Sequence, residues 1–231
     1  ATTEIYTLSQ HDALPIFLNI NGKNFVIDAG PDFRQQMLSW QVGTLRAILI
    51  SHEHVDHIFG LDDIRSYNWI QKRPTDIYAE HRVLEAIRHI FHYVFARDKY
   101  PGIPQMELHN ISESPFTIDE IVFTPIRGYH HKLPVLGFRV GNFTYITDVN
   151  SISGHEMEKI KGTKVLVINA LRKEKHLSHF NLYEALKIAE ELKPDQTFLT
   201  HISHAMGLYT DVEKNLPEGI SLAYDGLSFE V

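Results

Sequence analysis

The chain has 231 residues, of which 43% are hydrophobic, so it is long enough for one large domain or two small ones around a buried core. Its formal net charge of -7 argues against a broad nucleic-acid-binding surface, and no apolar run approaches the ~20 residues that a membrane helix needs. The absence of cysteine excludes disulfides, thiolate metal sites and a cysteine nucleophile, whereas fifteen histidines cluster at a few places.

The first half of the chain predicts a hairpin followed by alternating helices and strands. Residues 16–30, IFLNINGKNFVIDAG, read as two strands joined at Asn21-Gly22, a dipeptide that suits a tight hairpin turn. Helices are predicted at 32–40, 57–70 and 81–96, and strands at 45–50 and 106–111.

The second half repeats this order. Strands are predicted at 120–127, 135–140, 142–147, 164–170 and 197–202, with a turn at Gly141-Asn142 and a closing hairpin at 221–231 around Asp225-Gly226. Two helices begin at capping-box spacing, at Ser153 with Glu156 and at Asn181 with Glu184. Because hairpin strands are followed twice by strand–helix alternation, we predict an α/β fold with two mixed sheets packed face to face and helices outside, a four-layer αββα sandwich.

The motif SHEHVDH follows the predicted strand at 45–50 and carries four side chains of the kinds that bind metals. Residues two apart in an extended backbone point the same way, so His52 and His54 can face one ion. Asp56 and His57 lie where the chain turns into the next helix and can face a second ion. Imidazole and carboxylate together suit Zn²⁺, Mn²⁺ or Fe²⁺. A polar loop with Asp56 as a helix N-cap would explain one of the four residues.

Further candidate ligands lie at three later strand ends. They are His130 and His131 in GYHHKLPVLGF, Asp148 in YITDVN, and His201 and His204 in LTHISH. Each alone is more often a turn residue or a hydrogen-bonded core group. Their repetition after apolar strands indicates one rim of a sheet sandwich where the side chains converge.

With these motifs the chain resembles the metallo-β-lactamase fold hydrolases, whose H-x-H-x-D-H signature SHEHVDH matches. More narrowly, it resembles the branch that contains phosphoribosyl cyclic phosphodiesterase of the carbon–phosphorus lyase pathway, a relative of the tRNA 3′-processing endonucleases. The similarity runs from about Phe17 to Val231 and includes VIDAGPDFRQQML, HEHVDHIFGLDDIR, HKLPVLGFRVGNFTYITD, SHFNLYEAL, LTHISH and AYDGL.

The resemblance implies two divalent metal ions, with Zn²⁺ expected and Mn²⁺ or Fe²⁺ as alternatives. It assigns His52, His54 and His130 to the first ion, Asp56, His57 and His201 to the second, and Asp148 to a bridge between them. In this branch the third histidine precedes the glycine of LPVLGF by seven residues, which favours His130. Related chains with one residue fewer would favour His131.

The implied reaction is hydrolysis of a phosphodiester. Two metals roughly 3.5–4 Å apart could activate water near neutral pH and would neutralise the phosphate oxygens. His179 in HLSHFNLYEAL matches the family's catalytic histidine and would protonate the leaving group, with His176 as the alternative acid. A helix-capping or core imidazole is the non-catalytic interpretation of His179. Asp56 belongs to the predicted catalytic set as well as to the metal set.

We therefore predict a cytoplasmic phosphoric diester hydrolase that acts on a small cyclic or ribosyl phosphodiester, with no membrane partner. The oligomeric state is left open, with a homodimer as one option. A tRNA 3′-processing-type endonuclease is a weaker alternative, because the charge is acidic and no long basic arm interrupts the chain. A non-catalytic metal-binding carrier of the same fold is a third, opposed by the intact ligand set and His179.

Residues 1–16, ATTEIYTLSQHDALPI, depart from the family, which opens with a strand and a glycine-rich loop. The stretch resembles translated sequencing-adapter read-through, so we expect it to be non-native, the first strand to be missing or replaced, and residues 17–231 to form a single hydrolase domain. TEIYTLS alternates enough to pair at a sheet edge. In some relatives the lost loop binds a structural zinc with the second histidine of THISH, so His204 is either an orphan ligand or a hydrogen-bonded histidine behind the site.

Overall fold

The computed structural model describes the backbone of a strand at Thr3–Thr7 and residues 15–231. The chain divides into two compact units. Among the described residues, the first unit contains Thr3–Thr7, residues 15–112 and residues 226–230, and the second contains residues 113–225 and residue 231. Each unit contains a mixed sheet with helices, so the predicted α/β class with two mixed sheets is confirmed.

The described elements follow in chain order. The strands are β1 (Thr3–Thr7), β2 (Ile16–Ile20), β3 (Lys23–Ile27), β4 (Ala47–Leu49), β5 (Thr75–Ala79), β6 (Met106–Asn110), β7 (Phe116–Ile118), β8 (Ile121–His130), β9 (Leu133–Val140), β10 (Phe143–Ile146), β11 (Ser151–Ile152), β12 (Val165–Asn169), β13 (Gln196–Thr200), β14 (Ile220–Leu222) and β15 (Ser228–Glu230). The α-helices are α1 (Phe33–Ser39), α2 (Val55–Ile58), α3 (Arg65–Gln71), α4 (His81–Ile90), α5 (His92–Phe95), α6 (Gly154–Ile160), α7 (Leu182–Leu192) and α8 (Tyr209–Glu213). Two 3-10 helices span Phe59–Ile64 and His204–Met206.

The sheet of the first unit has the strand order β15-β1-β2-β3-β4-β5-β6. β2 and β3 form the predicted hairpin, and its turn residues Asn21 and Gly22 adopt positive φ angles of 53° and 75°, as a tight hairpin turn requires. β3, β4, β5 and β6 are parallel. The core of this unit packs apolar side chains from the strands against those of α1, α3 and α4, such as Val26, Ile48 and Ile87.

The sheet of the second unit has the order β11-β8-β9-β10-β12-β13-β14, with β7 paired to β8. β9 and β10 meet at the predicted Gly141-Asn142 turn, and β10, β12, β13 and β14 are parallel. β8 and β10 run in the same direction because each is antiparallel to β9. β8, β10 and β13 therefore end at the same edge of the sheet, which is where polar side chains of neighbouring strands can meet.

The helix starts of the second unit agree with the capping predictions. The Ser153 side chain accepts a hydrogen bond from the Glu156 backbone N–H at the start of α6. Asn181 and Glu184 form a complete capping box at the start of α7, with each side chain accepting a hydrogen bond from the other's backbone N–H. The Glu156 side chain does not return to Ser153 and instead accepts from the Arg127 backbone N–H at 2.7 Å.

The helical range predicted at 57–70 is confirmed in extent, but it is divided into α2, a 3-10 helix and α3 in succession. A Cβ at Gly60 would lie 2.2 Å from the Gly30 carbonyl oxygen and 2.4 Å from Phe33 Cβ. The Gly60 N–H donates to the Ala29 carbonyl at 2.8 Å rather than to a carbonyl one turn earlier. This close backbone approach interrupts the helix. The predicted helix at 81–96 is likewise two helices, α4 and α5.

The predicted closing hairpin is wrong. β14 pairs in parallel with β13, whereas β15 pairs antiparallel with β1, so the two strands flanking Asp225-Gly226 belong to different sheets. The dipeptide does form a turn, in which Gly226 has a φ of 85°. A turn dipeptide specifies local backbone geometry, but the pairing of its flanking strands depends on distant partners.

The N-terminal stretch is described only in part. β1 pairs antiparallel with both β2 and β15, so it lies within the sheet order and not at the edge. Ile16 begins β2 and is fully buried, which places the last residue of the predicted foreign stretch inside a strand. Residues 1, 2 and 8–14 lie outside the described residues, and the non-native origin of residues 1–16 stays a prediction.

Candidate metal centre

The first cluster of candidate ligands lies in the first unit, directly after β4. His52 is fully buried, and its Nε2 lies 3.0 Å from His54 Nδ1. Two nitrogens that bind a tetrahedral Zn²⁺ at about 2.0–2.1 Å are about 3.3 Å apart. The spacing of these two imidazoles therefore fits a shared cation, as the alternation of side chains along the extended motif predicts.

His57 is held by a buried carboxylate that the sequence analysis did not select. Asp28, which directly follows β3, is fully buried, and its Oδ2 lies 2.8 Å from His57 Nδ1. The same carboxylate accepts hydrogen bonds at 2.8 Å from the Ser51 backbone N–H and from the Ser51 hydroxyl. Because a carboxylate can only accept, His57 donates from Nδ1, and its Nε2 is the nitrogen with the lone pair that a metal needs.

Asp56 lies on the same side of α2 as the His57 nitrogen. Its Oδ2 is 3.5 Å from His57 Nε2, and its side chain is 29% exposed. The N-cap of α2 is His54, and Asp56 lies in the first turn, so Asp56 does not act as the N-cap. The two predicted ligands of the second ion within the first unit are therefore adjacent to each other.

The second cluster lies in the second unit, at the edge where β8, β10 and β13 end. The Asp148 side chain is 2% exposed; one carboxylate oxygen lies 3.2 Å from His201 Nδ1 and the other 3.4 Å from His179 Nε2. Thr147 Oγ1 donates to Asp148 Oδ1 at 2.6 Å. The rings of His179 and His201 are stacked, with centroids 4.9 Å apart. One buried carboxylate thus faces two imidazoles, an arrangement that suits a divalent cation with nitrogen and oxygen ligands.

His130 completes this cluster, and its neighbour does not. His130, Asp148 and His179 each offer a ligand atom within 4.8 Å of the others. His130 Nδ1 lies 2.9 Å from the Ser178 carbonyl oxygen, so it donates, and Nε2 keeps the lone pair. His131 is exposed in the turn after β8, with a φ of 58° and its backbone N–H donating to Asn150. The structure thus brings His130 to the cluster and leaves His131 at the surface.

Three of the clustered residues have an unusual backbone. Asp28, Asp148 and His201 adopt φ angles of 65°, 56° and 53°. Positive φ is uncommon for residues other than glycine, although Asp, Asn and His tolerate it best. All three residues directly follow, or nearly follow, a strand end, and the left-handed conformation turns the chain sharply there.

His176 and Ser178 surround the ring of His179. His179 Nδ1 lies 3.2 Å from His176 Nδ1 and 3.1 Å from Ser178 Oγ. Burial, followed by electrostatic interaction with His179 and Arg172, lowers the pKa of His176. His176 is therefore a neighbour of the predicted acid, on the side of the ring away from Asp148.

His204 is not part of either cluster. It is exposed and begins a short 3-10 helix that Ser203 caps by accepting from the Ala205 backbone N–H. Its two predicted roles, orphan zinc ligand and hydrogen-bonded histidine behind the site, stay predictions.

One further group of ligand-type side chains is an ion-pair network. Asp76 and His109, with Glu107 beside them, come from β5 and β6. Both Asp76 oxygens already have partners, with Arg46 at 2.6 Å, Arg73 at 2.9 Å and His109 at 2.7 Å. Burial alone would raise the pKa of Asp76, but the hydrogen bonds from His109 and Arg73 and the charge of Arg46 together lower it. Two arginines on one oxygen and a histidine hydrogen bond on the other argue for a structural role.

Comparison with known proteins identifies the relatives of this chain. The family model described as "Beta-lactamase superfamily domain" matches residues 23–202. The chain is 38% identical over 208 residues to a protein named octanoyltransferase from Porphyromonas gingivalis, covering 89% of this chain and 42% of that protein. It is 26% identical over 173 residues to ribonuclease Z from Nanoarchaeum equitans, covering 68% and 52%. The chain therefore spans about half the length of the curated relatives it matches.

A solved structure matches the whole chain. It is a diphosphatase from the PhnP family, with 30% sequence identity, a TM-score of 0.92, and coverage of 100% of this chain and 98% of that chain. In residues 3–7 and 15–231, none of the helices is both long and apolar enough for a bilayer crossing.

Proposed function

Because the chain belongs to the β-lactamase superfamily domain family, we propose that it hydrolyses phosphodiesters with two bound divalent cations. Family membership confirms the predicted metallo-β-lactamase fold and the predicted class, a hydrolase related to the PhnP-family diphosphatase and to ribonuclease Z. The number and identity of the cations, the roles of individual residues and the substrate belong to the proposal.

The observation that carries the proposal is the hydrogen bonding of two imidazoles. His57 donates its Nδ1–H to Asp28, and His130 donates its Nδ1–H to the Ser178 carbonyl. Metal-binding histidines have this arrangement, because the second hydrogen bond sets the tautomer and orients the ring. A merely structural histidine has no need for its other nitrogen to point into a cluster of carboxylates and imidazoles.

We assign the ligands as the family resemblance implies. By that resemblance, His52, His54 and His130 would hold the first cation, Asp56, His57 and His201 would hold the second, and Asp148 would serve both. The nitrogen and oxygen donors fit Zn²⁺ and also suit Mn²⁺ or Fe²⁺. Bound cations of this kind lower the pKa of bound water and neutralise charge on phosphate oxygens.

The protein side chains supply proton transfer and orientation. His179 Nε2 faces Asp148, and we propose that it gives its proton to the leaving oxygen. Ser178 and His176 contact its other nitrogen and hold the ring in place. Asp56 Oδ2 lies 3.5 Å from His57 Nε2, and we propose that Asp56 orients this imidazole as well as binding metal.

The substrate that we propose is a small cyclic or ribosyl phosphodiester. The similarity to a diphosphatase at 30% identity favours a diphosphate ester as the second candidate. The similarity to ribonuclease Z keeps precursor tRNA as a third, although the net charge of -7 disfavours an extended RNA surface. Octanoyl transfer is not proposed, since the chain corresponds to 42% of the relative that has that name.

Two measurements test the proposal. Purified protein should contain close to two transition-metal ions per chain, and turnover of cyclic ribose phosphate or bis(p-nitrophenyl) phosphate should exceed turnover of precursor tRNA. Exchange of His130 for Ala should lower the metal content, whereas the matched exchange of His131 for Ala should not, because only His130 points into the cluster. Metal binding without turnover of any phosphate ester would instead support a non-catalytic carrier.

A further inference from the structure

The metal motif and helix α4 emerge from neighbouring strands. β4 and β5 are parallel, and the Ile50 backbone N–H donates to the Tyr78 carbonyl at 2.9 Å near their carboxyl ends. The segment after β4 carries His52, Glu53 and His54, and the segment after β5 leads through Glu80 into α4. Two loops at one sheet edge thus lie side by side, and the first contains two of the proposed metal ligands.

An ion pair joins these two loops. The Glu53 carboxylate contacts the guanidinium of Arg82, the second residue of α4. The Glu53 side chain is 23% exposed and the Arg82 side chain 34%. Long side chains in a helix point towards its N-terminus, so Arg82 extends naturally towards the strand ends. Partial burial keeps the attraction stronger than that of a fully hydrated pair.

Glu53 lies between His52 and His54, two proposed metal ligands, in the sequence. Successive side chains of an extended segment point to opposite sides, so a fixed Glu53 side chain on one side fixes His52 and His54 on the other. We infer that Glu53 and Arg82 are positioning residues that hold His52 Nε2 and His54 Nδ1 at their 3.0 Å spacing before a cation binds. The inference rests on the proposed function only in that His52 and His54 are taken as metal ligands.

α4 offers a matched control. Glu85 and Arg88 form an ion pair within the same helix at 3.4 Å, with side chains 58% and 46% exposed. This pair is more than two-fifths exposed on each side chain and joins two residues of one helix, so its loss should have little effect. Exchange of Glu85 for Gln therefore repeats the chemistry of exchanging Glu53 for Gln without touching the loop.

The test measures Zn²⁺ affinity by competition with a chromophoric chelator and the melting temperature of the metal-free protein. E53Q and R82Q should each weaken Zn²⁺ binding about tenfold, as for partners that orient metal ligands. E85Q should bind Zn²⁺ like the wild type, and the charge-swapped double variant E53R/R82E should bind more tightly than either single variant. If R82Q fails to fold, E53Q carries the same comparison.

Three results on the affinities of the variants would overturn the inference. They are wild-type Zn²⁺ affinity in E53Q, an equal loss in E85Q, and a charge-swapped variant that binds no better than the single variants. A lower melting temperature with unchanged affinity would mean that the pair only stabilises the fold. Wild-type protein that binds no Zn²⁺ would overturn the metal centre together with this inference. Wild-type protein that binds Zn²⁺ but hydrolyses no phosphate ester would overturn only the proposed function.

Discussion

Exchange of Asp28 for Asn should weaken zinc binding, because the Asp28 carboxylate determines which nitrogen of His57 carries the proton. In the wild type, Oδ2 accepts from His57 Nδ1 and from the Ser51 hydroxyl, and Oδ1 accepts from the Ser51 N–H, all at 2.8 Å. Asparagine keeps one acceptor but places an NH₂ group where Oδ2 was. The Ser51 hydroxyl can rotate to accept from this group.

His57 can accept from the new NH₂ group only by moving its proton to Nε2, the nitrogen that we propose as a metal ligand. Zinc binding would then require the proton to return to Nδ1. The Nδ1–H of His57 and the new NH₂ group would face each other as two donors, in a place where both side chains are fully buried. An unsatisfied buried donor costs about 1–3 kcal/mol, which corresponds to about 5- to 150-fold in affinity.

Competition with a chromophoric zinc chelator near neutral pH measures this loss directly. The matched control is the exchange of Asp32 for Asn, since Asp32 is exposed and makes no side-chain capping bond at the start of α1. The Asp32 variant should bind zinc like the wild type. Wild-type affinity in the Asp28 variant would refute the role of this carboxylate in setting the tautomer of His57.

Four further changes have defined outcomes. Exchange of His179 for Ala should keep the metal content and lower turnover by ~10²–10⁴-fold, and the loss should shrink on p-nitrophenyl esters, whose leaving group needs no proton. Exchange of Asp148 for Ala should lower the content of both metals in elemental analysis, because we assign it as the bridge. The pKa of Asp76 is lowered on folding, so its contribution to stability is fully present above the ordinary value of 3.8 and is lost as the pH falls through the lower folded value. The difference in melting temperature between wild type and Asp76→Asn should accordingly close in acid. Exchange of Gly60 for Ala should destabilise the protein by about 1–3 kcal/mol or more in urea unfolding, because the new methyl group would lie 2.4 Å from Phe33 Cβ.

Features that depend on a few neighbouring residues were predictable from the sequence. The turn at Asn21-Gly22 and the capping box of Asn181 with Glu184 have the predicted geometry. The short distance between the His52 and His54 rings also follows from the alternation of side chains along an extended segment. In each case the interacting atoms lie within four positions of each other in the chain, so the pattern contains both partners.

Features that depend on distant partners were not predictable in the same way. β14, which precedes Asp225-Gly226, pairs with β13, and β15, which follows it, pairs with β1. The two strands therefore do not pair with each other, as a hairpin would require. The helix expected at 57–70 is interrupted because Gly60 packs against the backbone of Gly30, which comes from a separate loop. In both cases the contacting partner lies far away in the sequence, so a pattern of neighbouring residues cannot reveal it.

Asp28 shows the same limit within the candidate metal centre. A single aspartate after the strand VID has no ligand-like spacing, so no local pattern selects it. It reaches Ser51 and His57 because β3 and β4 are parallel neighbours whose ends coincide, and the Asp28 N–H donates to the Leu49 carbonyl at 2.8 Å. Asp28 could have been selected only because it follows a strand, which is the criterion that selected Asp148 and His201.

The left-handed backbone of Asp28, Asp148 and His201 has a consequence for laboratory evolution of this protein. Glycine adopts such φ angles without steric strain, whereas other residues held in this region cost on the order of 1 kcal/mol or more each. A library screened for heat resistance alone would therefore select glycine at such a position only where the relief of backbone strain exceeds the loss of buried hydrogen bonds, and each change removes a carboxylate or imidazole from the centre. Thermostable variants of this chain need a selection in which metal loading is scored in every round.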